Sequence, residues 1–430
     1  MAAAIGITFV TLMGLGVPIA FVMGCAALAG ILLSPDGIDL LPALPQQLFN
    51  TLNAFPFLTI PLFILAGTII AEGGVAERLM RLATLTVGRG RGGLGSAIVF
   101  SALFFHGISG SSSADTAAIA KVTLPSLRRQ NYPLPFSTAL LAAAGATSTL
   151  IPPSTDLILI GVVANMSIAG LFAAGLIPAI VNATGLAILI VLTSRRRGYG
   201  NAAEPFAWKP ALWAFLDAIP GLFMIVIILG GILGGVFTPT EASAVAVVYG
   251  MFLTLVIYRT LTIARFVKMI RETVEISGMV LLVIAMSALL SYTLTLNQIP
   301  AALAEQLDSI SGNKYVFLAL VQLVFFAISM VMDTVPALLV LMPILTPMAI
   351  ARGIEPIHFG ILVETNVALA LAHPPAGNCL FTACAVAKVP IERVIRPLMP
   401  LMAVLIVTMM IITYVEGFSM FLPRLLNLTN

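Results

Sequence analysis

The sequence predicts an all-α polytopic membrane protein built from inverted-topology repeats, and three observations support this fold class. Of the 430 residues, 60% are apolar and only 9% are charged, whereas a soluble globular chain carries roughly 25% charged residues. The apolar runs are long and unalternated, which favours helices over the strands of a membrane barrel. The interruptions of these runs recur at one constant offset along the chain, which indicates an internal repeat.

The same composition excludes whole classes of function. So few charged side chains cannot cover the water-facing surface of a soluble enzyme of this size. A formal net charge of +3 is too small to indicate a nucleic-acid partner. The lipid bilayer is therefore the first partner that we expect.

Seven apolar runs are long enough to cross the hydrocarbon core, which takes about 20 helical residues. They cover 5–33, 54–72, 170–194, 213–233, 237–258, 278–296 and 395–415. Segments 40–53 and 262–275 mix apolar and polar residues at helical spacing, and we expect both to lie along the membrane surface.

Four further apolar segments are interrupted near their centres. Proline pairs predict two broken transmembrane helices, at 135–164 (Pro152-Pro153) and 357–387 (Pro374-Pro375). Polar, turn-prone patches interrupt 93–127 (at 109–113) and 315–350 (at 332–336), leaving limbs of about 15 residues. Because such limbs are too short to cross alone, each of these two segments is predicted to form a reentrant hairpin.

A single offset relates the two halves of the chain. The shift that takes Pro152-Pro153 onto Pro374-Pro375 also takes Pro125 onto Pro347 and Ser111 onto Asp333. We therefore predict a first repeat at 1–200, a connector helix at 201–236 and a second repeat at 237–430. Four crossings and one connector, an odd number, separate equivalent points of the two repeats. Equivalent points therefore lie on opposite sides of the membrane, which means that the second repeat is inverted.

The basic residues predict the orientation. With a cytoplasmic N-terminus, nine crossings and hairpins that return to their own side, 18 of the 21 Lys and Arg residues are cytoplasmic. Only Lys314, Arg352 and Arg424 lie outside, and the C-terminus is periplasmic.

Backbone left unpaired at mid-membrane is tolerated where protein or a water-filled cavity satisfies it. Inverted repeats with discontinuous helices are typical of secondary transporters, whose half-helix N-termini face anionic groups while unwound carbonyls hold a cation. Suitable oxygens and small residues surround the first hairpin tip and both proline breaks. They are Ser109 to Ser113 and Thr116, Gly145 to Ser148, and Ala372, His373 and Gly377.

Individual polar residues allow two interpretations each. Asp333 either binds a cation or gates the site, or it caps a helix; Asp115 is either a helix cap or a functional group. Asp156 and His373 serve substrate or proton chemistry, or they are satisfied interior groups. Glu241, at the start of a crossing, is predicted to cap that helix.

Two other classes of function compete with a transporter. The string Gly107-Ile108-Ser109-Gly110, with His106 or His373 as a base, resembles the GxSG motif of intramembrane serine proteases. An ion channel would share the polar midplane, although two hairpins of opposite entry suit alternating access better.

Five motifs together resemble the large membrane subunit of tripartite ATP-independent periplasmic (TRAP) transporters. They are GSSSADTAAIAKVTLPSLRR, AAAGATSTLIPPS, FTPTEASAVAVVYG, MDTVPALLVLMPIL and IHFGILVETNVALALAHPPAGNCLF, and they span essentially the whole chain in order. The resemblance implies sodium-driven uptake of an organic acid anion that a periplasmic binding protein delivers. It also implies a small four-helix membrane subunit, an elevator movement and a location in the bacterial inner membrane.

The resemblance also implies a set of binding residues. One sodium ion would be bound by Ser111, Ser112, Ser113, Gly145 and Thr147, and another by Asp333, Thr334, Asn366, Ala372 and Gly377. Substrate would lie between them, at Ser109, Gly110, Pro152, Asp156, His373 and Pro374. Two residues depart from the family pattern: His373 replaces a small hydroxyl residue, and Asp156 replaces an apolar residue or proline.

Overall fold

The computed structural model describes residues 2–34, 37–86, 90–200, 207–299, 313–330, 332–375 and 377–429, with residues 302 and 305. Arg89, one of the basic residues counted for the orientation, and 201–206, the start of the predicted connector, lie outside the described residues. Within these ranges, every regular element is a helix. The all-α prediction is confirmed.

Helices α1 to α11 cover the first half of the chain. They are α1 (Ala2–Gly14), α2 (Ile19–Leu32), α3 (Gly37–Leu40), α4 (Ala43–Leu52), α5 (Thr59–Glu72), α6 (Val75–Thr86), α7 (Gly93–Ser109), α8 (Ser112–Arg129), α9 (Leu134–Ser148), α10 (Thr155–Val163) and α11 (Ile168–Arg197). A 3₁₀ turn, Phe55–Leu58, leads into α5.

Helices α12 to α20 follow. They are α12 (Trp208–Leu233), α13 (Pro239–Phe252), α14 (Ile263–Leu296), α15 (Lys314–Ser329), α16 (Thr334–Ala351), α17 (Pro356–Ala372), α18 (Asn378–Ala387), α19 (Ile391–Tyr414) and α20 (Gly417–Leu425). A π-helical turn, Leu253–Ile257, extends α13.

Seven helical stretches of the described residues are long and apolar enough to cross a membrane. Five of them, at 55–72, 168–197, 208–233, 239–257 and 391–414, confirm predicted crossings to within a few residues. The amphipathic helix α6, by contrast, was not predicted.

The predicted single crossing at 5–33 is wrong, because this segment forms two antiparallel helices. Gly16 takes a φ of +76° and Pro18 precedes α2, which ends α1 and reverses the chain. A Cβ placed on Gly30, near the end of α2, would lie 2.6 Å from Ile5 Cδ1 at the start of α1. The cytoplasmic N-terminus was predicted from a single crossing in this segment, so the structure removes the argument for it.

The predicted separation of a surface helix at 262–275 from a crossing at 278–296 is also wrong. A single 34-residue helix, α14, covers both. The first repeat does break at the equivalent point, between α4 and α5, where Pro56 lies in a 3₁₀ turn. The equivalent residue of the second repeat is Gly278, so there is no proline at that position and the helix continues.

The two predicted hairpins each form a pair of packed helices, α7 with α8 and α15 with α16. Their limbs have 16 to 18 residues and are thus slightly longer than predicted. The last limb, Thr334–Ala351, is long enough by itself to be a candidate span. Both broken helices are confirmed, since α9 ends before the first proline pair and α17 before the second.

The two halves of the chain contact each other through reciprocal pairs of equivalent helices. The shift that relates Pro152 to Pro374 places the bounds of α8 on those of α16. By the same shift, α2 corresponds to α13 and α5 corresponds to the second part of α14. In the structure α5 packs against α13 and α2 against α14, while α8 packs against α18 and α10 against α16. This reciprocal pairing is what a pseudo-two-fold relation between inverted repeats produces.

Candidate functional site

The tip of the first hairpin is closed by a cluster of polar side chains. Gly110 ends α7 with a φ of +67°, a conformation that suits glycine. The Asp115 side chain is fully buried; it accepts a hydrogen bond from the Ser109 hydroxyl and lies 2.7 Å from Nδ1 of buried His106. Asp115 therefore ties the two limbs together instead of capping α8.

The first broken helix lies directly against this tip. The Thr155 hydroxyl donates a hydrogen bond of 3.3 Å to the Gly110 carbonyl. A Cβ on Gly110 would lie 3.2 Å from the Pro153 carbonyl oxygen, and buried Pro152 approaches α7 at Gly107. The tip and the break that the family resemblance groups together are thus in direct contact.

The predicted ligands of the first sodium ion surround the contact between α8 and α9. Thr116 donates its hydroxyl hydrogen to the Ser112 carbonyl, and a Cβ on Gly145 would lie only 1.9 Å from Thr116 Oγ1. Thr147 is buried and donates to the Ala143 carbonyl. The remaining two predicted ligands, Ser111 and Ser113, are half-buried at the start of α8.

The tip of the second hairpin is organised by Asp333. Its Oδ1 accepts a 2.8 Å hydrogen bond from the Thr334 backbone N–H, which makes it the N-cap of α16. The same oxygen accepts a 3.0 Å hydrogen bond from Nδ2 of Asn378, at the start of α18. The structure thus shows the capping interpretation of Asp333, together with a contact to the second broken helix.

The second break bends tightly around small residues. The Gly377 N–H donates to the His373 carbonyl at 2.9 Å, and a Cβ on Gly377 would lie 2.6 Å from the Leu371 carbonyl oxygen. Ala372, the last residue of α17, is fully buried, while Pro374 is half-buried. The His373 ring is buried, with Nδ1 2.9 Å from the Ala370 carbonyl oxygen.

Asn366 is held in position by the first limb of the second hairpin. Its Nδ2 donates to the backbone carbonyl of Gln322 at 2.8 Å and to Gln322 Oε1 at 2.6 Å. Gln322 in turn donates to the Thr413 hydroxyl at 2.8 Å. The Asn366 side chain therefore presents only its carbonyl oxygen for a ligand.

One contact across the halves was not predicted. The Thr149 hydroxyl lies 2.6 Å from Glu364 Oε1 and 3.2 Å from Asp156 Oδ2. Glu364 lies within α17 and is fully buried. Sequence reasoning did not single out Glu364, although a carboxylate in the middle of an apolar helix is itself a signal for a functional group.

Four side chains of this region each keep one buried polar atom without a hydrogen-bond partner. These atoms are His106 Nε2, Glu364 Oε2, Asn366 Oδ1 and His373 Nε2. Buried polar atoms are nearly always hydrogen-bonded, so unpaired ones indicate a bound ligand, ion or water. The carboxylate and amide oxygens among them suit a hard cation such as sodium.

The geometry does not support a serine protease. The Ser109 hydroxyl donates to Asp115 and not to His106, so the hydrogen bond that would activate a nucleophile is absent from this cluster. Glu241 has the predicted capping role, because its Oε2 accepts the Thr238 N–H at 2.8 Å in a capping box.

Comparison with known proteins gives the family. Residues 6–418 match the family model of the DctM component of the tripartite ATP-independent periplasmic transporter. The chain is 37% identical over 419 residues to the uncharacterized protein YgiK of Salmonella typhimurium, covering 97% of this chain and 96% of YgiK. It is 35% identical over 404 residues to the C4-dicarboxylate TRAP transporter large permease protein DctM of Pseudomonas aeruginosa, covering 94% and 93%.

A third relative is longer. The isethionate TRAP transporter permease protein DctMQ of Oleidesulfovibrio alaskensis is 34% identical over 413 residues, which cover 96% of this chain but 65% of DctMQ. Among solved structures, the YdaH transporter of Alcanivorax borkumensis has a TM-score of 0.67, with 96% of this chain and 98% of YdaH covered at 16% identity. YdaH therefore shares the fold.

The family match runs through both hairpins and both broken helices, so the serine-protease interpretation is wrong. This chain belongs to the DctM family of TRAP transporters: it is a multi-pass large permease subunit and not an enzyme.

Proposed function

We propose that this permease subunit couples sodium entry to the uptake of an organic acid anion delivered by a periplasmic binding protein. Relatives named for isethionate and for C4-dicarboxylates support this substrate class. DctMQ extends well beyond the region that this chain matches, which supports a small four-helix membrane subunit as a partner. We place the complex in the bacterial inner membrane.

The observation that carries this proposal is the meeting of each hairpin tip with the broken helix of its own repeat. Thr155 contacts Gly110 in the first repeat, and Asn378 contacts Asp333 in the second. Four helices, α8, α10, α16 and α18, begin at these two junctions. Their positive N-terminal ends suit an anionic substrate, while hydroxyl and carbonyl oxygens suit sodium.

We further propose an elevator movement of the hairpins and broken helices against a scaffold that includes α2, α4, α5, α13 and α14. At one point of the boundary between the two parts, the backbones pack closely without an intervening side chain: a Cβ on Gly67 of α5 would lie 2.1 Å from the Ser109 carbonyl oxygen. Elsewhere the boundary holds a gap of about 310 Å³ with Gln47, Thr51 and Ser291 on its scaffold side. The Ser287 hydroxyl crosses this boundary with a 2.7 Å hydrogen bond to the Leu339 carbonyl, and a boundary with few such polar links favours sliding.

The orientation follows from the basic residues and from the pairing of α1 with α2. An antiparallel helix pair returns the chain to the side where it began, so residue 2 would lie outside, together with residue 34. The segment before Asp36 carries no charged side chain, and the positive-inside count is unchanged. We keep the C-terminus on the periplasmic side.

The test is uptake into proteoliposomes that contain both membrane subunits, with the binding protein added outside. Sodium and the anion are varied independently. We expect uptake only when the binding protein, the anion and a sodium gradient are all present. A large conductance in planar bilayers without the binding protein would instead indicate a channel.

Two substitutions separate the roles of Asp333. Asp333→Asn keeps an oxygen that can accept from Thr334 and Asn378, but it removes the negative charge; Asp333→Ala removes both. If Asp333 binds sodium, both variants require much more sodium for half-maximal uptake. If its role is capping alone, Asp333→Asn keeps the wild-type sodium dependence and only Asp333→Ala is impaired.

A further inference from the structure

A basic groove lies between three helix ends, away from the hairpin tips. It is formed by the first turns of α9 and α19 and by the last turns of α11, and it has a volume of about 630 Å³. Its basic lining residues are Arg196, Arg197 and Arg396.

Among the residues that the structure describes, no side chain compensates the charge of this groove. None of its lining residues is acidic. Within the residues that the structure describes, no ion pair or hydrogen bond engages the guanidinium groups of these three arginines. Glu392 precedes Arg396 by one helical turn, yet no ion pair joins them. Three free guanidinium groups around one concave surface favour an anion with several oxygens, such as a phosphate ester.

The rest of the groove is apolar and aromatic. Leu189 and Leu401 line it, and on the same helices Ile188, Leu192 and Met399 are about half exposed. Phe136 and Tyr199 also line the groove, with ring centroids 5.5 Å apart. Tyrosine beside clustered arginine is typical of the membrane–water interface, where an apolar surface continues into the bilayer.

We propose that this groove binds an anionic phospholipid of the cytoplasmic leaflet. Its phosphate would be held by Arg196, Arg197 and Arg396, and its acyl chains would run along the exposed apolar side chains of α11 and α19. Basic pockets between transmembrane helices on the cytoplasmic side bind lipid headgroups in this way. Lipid is favoured over a soluble anion because the apolar surface adjoins the arginines.

The chain offers a matched control for the test. Arg195 and Arg393 lie on the same two helices as Arg196 and Arg396 and are also exposed, but they do not line the groove. The double variants Arg196→Gln/Arg396→Gln and Arg195→Gln/Arg393→Gln therefore remove equal charge from the same helix ends. Only the first pair removes it from the groove.

The experiment measures lipid binding to the purified permease subunit in neutral detergent, by native mass spectrometry and by thermal stabilisation. The probes are phosphatidylglycerol, phosphatidylcholine and inorganic phosphate. We expect phosphatidylglycerol to bind and stabilise the wild type and the control variant. Loss of two lining arginines should weaken this binding about 30-fold, while phosphatidylcholine and inorganic phosphate should have little effect.

Three results would overturn the proposal. Equal binding of phosphatidylglycerol by both double variants would place the lipid elsewhere. An equal response to inorganic phosphate would indicate a soluble-anion site. In a parallel co-purification with the small membrane subunit, loss of that subunit from the Arg196→Gln/Arg396→Gln variant, with lipid binding intact, would assign the groove to that protein.

Discussion

The Thr149 hydroxyl bridges two carboxyl groups, and its single hydrogen allows a count of protons. Thr149 Oγ1 lies within hydrogen-bond distance of both Glu364 Oε1 and Asp156 Oδ2. A hydroxyl can donate to only one of them. The other contact is a hydrogen bond only if that carboxyl group carries a proton and donates it. We therefore predict that the folded protein holds one proton on this pair at neutral pH.

The geometry also gives the cost of losing that proton. The two carboxyl oxygens cannot be farther apart than their two distances to Thr149 Oγ1 combined, which are 2.6 Å and 3.2 Å. Two negative charges about 6 Å apart repel by about 3 kcal/mol at an effective dielectric constant of about 20. Because both side chains are buried, ionising the second carboxyl group also costs the removal of that charge from water, several kcal/mol more. Because carboxylates in an unfolded chain are ionised at neutral pH, the folded state binds one proton more than the unfolded state. As long as the folded protein keeps this proton, its stability falls by about 1.4 kcal/mol for each unit of rising pH.

The perturbation is Glu364→Gln, which replaces the proton with a permanent N–H donor of the same shape. The variant needs no bound proton at this pair, so its free energy of unfolding should lose that pH slope. Asp156→Asn should behave in the same way. Glu355→Gln removes an exposed carboxylate at the start of the same helix, α17, and should keep the wild-type slope.

The assay is denaturant unfolding in detergent micelles at pH 7, 8 and 9, with sodium held constant. Glu364→Ala should be less stable than Glu364→Gln at pH 7 by roughly 1–3 kcal/mol, since it leaves Thr149 and Asp156 without their partner. If Glu364→Gln and Glu355→Gln have the same pH slope as the wild type, the shared proton does not exist and the proton count is mistaken.

Three further predictions concern close packing and capping. Gly145→Ala should destabilise the protein by about 1–3 kcal/mol, because its methyl group would meet Thr116 Oγ1 at 1.9 Å; adding Thr116→Ala should restore most of the unfolding temperature, and no restoration would refute the contact. Gly67→Ala should slow uptake and also destabilise the protein by about 1–3 kcal/mol, because the added methyl group would meet the Ser109 backbone carbonyl oxygen at 2.1 Å at the proposed sliding boundary; unchanged uptake would argue against that boundary. Thr238→Ala should cost about 1 kcal/mol of unfolding free energy, through loss of the α13 N-cap, whereas Thr238→Ser should not.

The interruptions of the helices could be predicted because their causes are local. Gly110 supplies the positive φ that ends α7, and each proline pair removes the backbone donors that a helix needs. The single offset between the proline pairs then related the two halves, and the bounds of α8 and α16 follow it without deviation.

The wrong predictions concern segments where composition gives no local stop signal, or gives one that was underrated. The 262–296 region lacks a proline, so its change from charged to apolar residues marks a change of environment along one continuous helix. At 5–33 the uniform hydropathy predicts one continuous helix. Gly16, with its positive φ, and Pro18 nevertheless end the helix there. Glu364 was overlooked although a carboxylate within an apolar helix is a local signal for a functional group. Its contact with Thr149, 215 residues away, could not be predicted from any local pattern.

The repeat also relates the two proposed cation sites, which are formed by different residues. Under the shift that relates the halves, Ser111 at the first tip corresponds to Asp333, and Asp156 beside the first break corresponds to Asn378. At these equivalent positions each repeat carries one carboxyl group and one neutral polar residue, but the carboxyl group belongs to the broken helix in the first repeat and to the hairpin in the second. The first tip also holds the buried carboxyl group of Asp115, whose equivalent in the second repeat is Ala337.

The Thr149–Glu364 contact breaks this symmetry. The positions equivalent to Thr149 and Glu364 are Leu371 and Ala142, which cannot form the same hydrogen bond. Only the first junction is thus tied to the opposite repeat through a titratable group. Protonation of that pair should consequently affect cation binding at the first junction more than at the second, so acidification should change the two sodium dependences unequally.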